Sequence, residues 1–153
     1  MPGAAISDPE AVGYVVRRLP AFMLGLRRQP SDYQDMALRR RLIVYQARWA
    51  HRRAEIVIVP MAFTNRSYLE TFAEALQATA PVQKLCLVAP LAVIRARLAM
   101  RAGEEGRADL TPFELTRSAE CAAVHADPFF GMPVDATADV DGVVASIRQA
   151  MGR

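Results

Sequence analysis

The stretch Leu85-Cys86-Leu87-Val88-Ala89-Pro90, running on through Val93-Ile94-Arg95-Ala96-Arg97-Leu98-Ala99-Met100-Arg101, decides the fold. A short apolar run that ends at a proline reads as a buried strand, and Pro90 suits a first helical turn, whose N–H groups have no partner to lose. In the helix that follows, Arg97 and Arg101 stand four residues apart and share one face. Ala102-Gly103-Glu104-Glu105-Gly106-Arg107 then reads as a polar loop with a third arginine, part of a lid expected over about 103–111. Guanidinium groups gathered around such a loop suit an anionic phosphate.

Outward from this stretch, short apolar runs alternate with helical patterns, which argues for an α/β layer fold with a parallel sheet. Strands are expected at residues 4–7, 54–60, 83–89 and 133–136. Asp8 caps a helix that begins at Pro9, with Glu10 in its first turn, where the helix dipole favours an anion. Ser31-Asp32-Tyr33-Gln34, Ser67-Tyr68-Leu69-Glu70 and Thr111-Pro112-Phe113-Glu114 read as capping boxes opening helices that run to about 53, 78 and 125. The arginine helix is expected to end near 102, and an amphipathic helix closes the chain over 139–151. No repeat, low-complexity tract or linker breaks the sequence, so residues 1–153 read as a single domain.

The strand, arginine helix and lid resemble those of P-loop phosphotransferases. Ile56-Val57-Ile58-Val59-Pro60-Met61-Ala62-Phe63 followed by Tyr68-Leu69-Glu70 is similar to the tunicamycin-resistance-type ATP-binding members of that superfamily. Asp8-Pro9-Glu10 with Gly13, and Asp32-Tyr33-Gln34-Asp35, resemble the same group. The resemblance spans roughly residues 4–147 and rests on short motifs. It implies a three-layer fold, a parallel sheet with helices on both faces, and transfer of the γ-phosphoryl of ATP, with Mg²⁺, to a hydroxyl of a small molecule.

The resemblance also distributes roles. Asp8 becomes the base or orienter of the acceptor hydroxyl, although a plain helix cap explains it equally well. Arg97 is expected to stack on adenine, Arg101 to stabilise charge during transfer, and Arg107 to approach the phosphates. Thr137 belongs to Asp135-Ala136-Thr137-Ala138, whose backbone would edge the adenine ring. Glu10, Gln34, Asp35, Met61 and Arg66 are expected on the acceptor side. Surface ion pairs with Glu104 and Glu105 are the plain alternative for the three arginines, and helix N-terminal polarity and capping are the plain alternative for Gln34, Asp35 and Arg66. No protein metal site is expected.

One departure qualifies the resemblance. Such proteins hold the triphosphate with a Gly-rich loop ending Gly-Lys-Ser/Thr, whereas the single lysine here, Lys84, directly precedes a strand. An N-terminal truncation is therefore expected, with the central first strand missing between 54–60 and 83–89 and no cofactor bound by the chain as it stands. Buried, unpaired backbone groups beside that gap would cost about 1–3 kcal/mol each. The alternative is a natural relative that has lost ATP chemistry and binds a nucleotide or drug without modifying it.

Composition sets the outer bounds. The chain has 153 residues, 52% of them hydrophobic, enough for a core, and its net charge of +3 comes from eighteen arginines and one lysine against sixteen acids. No apolar run approaches a membrane span and no signal sequence opens the chain, so a cytoplasmic, membrane-free protein is expected. Arg27-Arg28, Arg39-Arg40-Arg41 and Arg52-Arg53 read as a solvated helix face rather than a nucleic-acid footprint. Cys86 and Cys121 suit a reducing compartment, and Cys121 with His125 one turn later reads as packing. Trp49 and Phe129-Phe130 are likewise expected to pack. A small-molecule acceptor is the partner expected, and a homodimer stays open.

Overall fold

A computed structural model describes residues 3–17 and 37–152. Gln34, Asp35 and the box at Ser31 lie outside the described residues. The chain divides into two compact units, Met1–Phe63 with Ser67–Val82, and Thr64–Arg66 with Gln83–Arg153.

In the first unit, β1 (Ala4–Ile6) pairs in parallel with β2 (Ile56–Ile58), in the register Ala4 to Ile56, Ala5 to Val57 and Ile6 to Ile58. The Ser7 N–H adds a further rung to the Ile58 carbonyl at 2.9 Å. β2 was expected to extend over 54–60, but its ladder lasts only as long as β1, which turns at Asp8 into α1 (Pro9–Arg17). Helix α2 (Ala37–His51) packs on both strands and α3 (Arg66–Gln77) follows β2. Ile43, Val44 and Ala47 of α2 are buried, as are Phe63, Leu69, Phe72 and Ala73. The rings of Phe63 and Phe72 meet with centroids 5.3 Å apart. On the opposite strand face the register partners Ile6 and Ile58 remain 70% and 48% exposed.

The second unit repeats the arrangement. β3 (Leu85–Val88) pairs in parallel with β4 (Met132–Asp135), Leu85 opposite Met132 through Val88 opposite Asp135. Between them run α4 (Leu91–Glu104), α5 (Pro112–Val124) and a 3₁₀ turn at Pro128–Phe130, and α6 (Val140–Ala150) packs against β4. Cys86, Ala102, Phe130, Val134 and Ala136 are its buried apolar residues.

The molecule is thus mixed α/β with small parallel sheets, as expected, and the strands are shorter than the apolar runs that announced them. Among the described residues β2 pairs with β1 and β3 with β4, and no ladder joins β2 to β3. Two local readings are corrected. Helix α3 begins at Arg66, so Ser67 lies inside the helix and does not cap it. Trp49 is 47% exposed rather than packed, because it lies on the solvent side of α2 with the Arg53 guanidinium 3.7 Å from its ring centroid. No helix among the described residues is long and apolar enough to cross a membrane.

Candidate functional site

In open α/β sheets, ligands gather at the carboxyl ends of the strands. In the second unit that position holds a cavity of about 310 Å³, lined in part by Ala89, Pro90, Ile94, Cys121, His125 and Asp135. Pro90, the last residue before α4, caps the helix with its backbone alone, accepting the Val93 N–H at 2.9 Å. The Asp135 carboxylate accepts the Thr137 N–H at 2.8 Å, and this bond holds its carboxyl below the usual range. Cys86 is buried with its thiol pushed up, by desolvation first and by Cys121 second, so it is a poor nucleophile.

Beside the cavity, Arg97 donates from Nη1 to the Ala136 carbonyl at 2.5 Å, and from Nη2 to those of Thr137 at 3.3 Å and Ala138 at 3.0 Å. The guanidinium ties α4 to the segment after β4, the segment expected to edge a base. Thr137 and Arg97 are therefore brought together, through backbone oxygens rather than through a ligand.

Helix α4 runs two residues past its expected end and closes in a Schellman motif. The Arg107 N–H reaches the Ala102 carbonyl at 2.8 Å and the Gly106 N–H reaches Gly103 at 3.0 Å, with Gly106 at φ +73°. Gly103, expected in the loop, is helical. The motif aims Arg107 at α5, where Glu114 receives Nη1 on Oε2 and Nη2 on Oε1, both at 3.0 Å. Arg101 reaches the same Oε1 at 3.3 Å, and Glu105 takes a second pair of bonds from Arg107. Glu114 also completes the capping box, accepting the Thr111 N–H at 2.8 Å while its own N–H donates to the Thr111 hydroxyl at 3.2 Å.

This convergence holds the Glu114 carboxyl down at about 2, with Arg107 the largest cause and Thr111 next. A carboxylate whose pKa is depressed on folding contributes stability above its unfolded value and loses it as pH falls through the folded one. Glu114→Gln is expected to lower the melting temperature at neutral pH, by more than Thr111→Ala does. The difference from wild type should shrink below about pH 4.5 and close near pH 2. Parallel thermal melts across that range check it; a difference that does not vary with pH would place the contribution in packing instead.

Arg66, expected on the acceptor side, ion-pairs with Asp127 and lies 4.8 Å from the Phe129 ring centroid. Asp127 caps the 3₁₀ turn through the Phe129 N–H at 2.9 Å, and Lys84 donates to the Phe129 carbonyl at 3.1 Å. In the first unit the Asp8 carboxylate accepts the Glu10 N–H at 2.8 Å, the geometry of a helix cap, with both residues exposed and Met61 half-buried beyond β2.

No family model and no curated protein sequence matches this chain. Its fold is that of a solved drug-resistance protein. Superposed on the structure of the Deinococcus radiodurans tunicamycin resistance protein, it gives a TM-score of 0.75 at 20% identity, covering 99% of this chain and 84% of that one.

Glu114 is the residue that sequence reasoning missed. Its place in a capping box is legible in the sequence, but the two arginines that meet it come from another helix and its exit turn. The signal that existed was Gly106 itself, since a glycine at a helix C-terminus predicts where the chain turns next. Asp135 and His125 reach the cavity wall from β4 and from the end of α5, a meeting that linear spacing does not announce.

Proposed function

We propose that the chain is a cytoplasmic, phosphotransferase-like resistance protein that engages a nucleotide and a small-molecule antibiotic of the tunicamycin type. The observation that carries this reading is the fold likeness, which extends over 99% of the chain to a tunicamycin resistance protein. In this reading the adenine end lies at the carboxyl ends of β3 and β4, near Arg97 and Thr137. Asp8, Glu10, Met61 and Arg66 serve the acceptor.

The described residues do not fit a magnesium triphosphate. The single lysine is committed to the Phe129 carbonyl, and the charges of Arg101 and Arg107 are already met by Glu105 and Glu114. The same pairing favours a second reading, in which the protein protects by binding the drug or a nucleotide without modifying it.

Calorimetry of this chain with ATP and Mg²⁺ is expected to show no saturable binding tighter than about 0.1 mM. Micromolar affinity would mean that the phosphate site does not need a Gly-rich loop. Incubation with tunicamycin and ATP, followed by mass spectrometry of the drug, separates the two readings: a phosphorylated drug supports transfer, and protection of cells with the drug unchanged supports sequestration. Neither phosphorylation nor protection would overturn both.

A further inference from the structure

A second cavity, of about 460 Å³, lies in the first unit between α2 and α3, away from the strand ends. Its floor is apolar, from Val44, Phe72 and Ala75, and its rim carries Arg41, Arg48 and Tyr45. Two arginines of α2 bridge to α3 here. The Arg40 guanidinium sits 4.0 Å from the Tyr68 ring centroid, and Arg48 donates through Nη2 to the Ala75 carbonyl. Eight residues separate them, about 12 Å along the helix axis. The volume is that of a small-molecule site.

Three further observations set the chemistry of an occupant. Arg48 lines the cavity, and the partner of its guanidinium among the described residues is a neutral one, the Ala75 carbonyl. Helix α2 contains no acidic residue, and Arg41 and Arg48 both line the cavity. Tyr45, at the rim, is 72% exposed and offers a ring to an apolar body lying along the floor.

We infer that the α2–α3 groove binds an amphiphilic anion: a carboxylate-type head that pairs with the Arg41 and Arg48 guanidinium groups of the groove wall, on an aliphatic or aromatic body that covers Val44 and Phe72. The apolar floor holds the body by burial, and the Arg41 charge at the mouth raises the local concentration of anions. The guanidinium is suited to the head because its planar fork keeps donors free after one is used on Ala75.

Decanoate serves as the probe, with decan-1-ol as its uncharged counterpart. Calorimetry is expected to show one decanoate per chain with a Kd on the order of 10–100 μM, and at least tenfold weaker binding of decan-1-ol. Arg48→Gln should weaken decanoate about tenfold. Because Arg48 also holds Ala75, a second variant keeps the test independent of folding: Thr71→Trp, at an exposed lining position of α3, should fill the groove and weaken decanoate at least tenfold with the melting temperature unchanged. No saturable decanoate binding, equal binding of decan-1-ol, or decanoate binding unaffected by Thr71→Trp would each overturn the inference.

Discussion

Gly131→Ala is expected to lower the melting temperature by roughly 5–10 °C, corresponding to about 2–3 kcal/mol for a chain of this size. Gly131 sits at φ +137°, and a Cβ built on it would lie 2.8 Å from both the carbonyl carbon and oxygen of Lys84. Those atoms are backbone. The Lys84 carbonyl accepts the Met132 N–H at 2.9 Å, the first rung between β3 and β4, so it cannot retreat without opening the ladder. Gly106→Ala is the control. Its φ of +73° is also positive, but nothing stands within 4 Å of the added methyl, so only the conformational cost of about 1–2 kcal/mol applies. Thermal melts of the two variants, with amide exchange read along β3 and β4, check the difference. Equal losses would show that the approach to Lys84 carries no cost.

Ile43→Ala is expected to cost about 2–5 kcal/mol. Among the described residues Ile43 is the largest fully buried side chain, at 0% exposure, and stands on the face of α2 that packs against β1 and β2. Its two-stranded sheet has little other apolar cover, because Ile6 and Ile58 on the opposite face are largely exposed. A cavity at Ile43 therefore removes cover from the face on which this sheet relies. Leu42→Ala, one position round the same helix and 37% exposed, should cost well under half as much. Denaturant melts of both variants and of Ile43→Val, expected at about 0.5–1.5 kcal/mol, check the scale.

What the sequence made legible was local. Thr111 and Glu114 form their capping box because both partners lie within four residues, and Asp139 caps α6 for the same reason, accepting the Gly142 N–H at 2.9 Å. The parallel β–α order followed from apolar runs alternating with helical periods. Strand lengths were not legible, because a strand extends only as far as its partner, and β1 supplies three residues to the seven expected of β2. The end of α4 was misplaced because Gly103 is tolerated within a helix, while Gly106 takes the left-handed position that stops it. At the candidate site, the arginines were visible as a helical face. Their partners were not: Arg97 meets carbonyls about forty residues away, and Glu114 meets Arg101 and Arg107 only once α4 and α5 have packed.

The proline in β4 decides on which side the second sheet can grow. Met132 and Ala136 donate their N–H groups to Lys84 and Val88 of the β3 segment, so the alternation of the strand turns the nitrogen of Pro133 outward. That nitrogen carries no hydrogen, and the outer margin of β4 lacks a donor where a neighbouring strand would need one. The margin is a terminus in the hydrogen-bonding sense, protected against templating by another chain. Recruitment of any further strand is thereby directed to the far flank of β3, and exchanging Pro133 for a residue with an N–H would give the sheet a second growing edge.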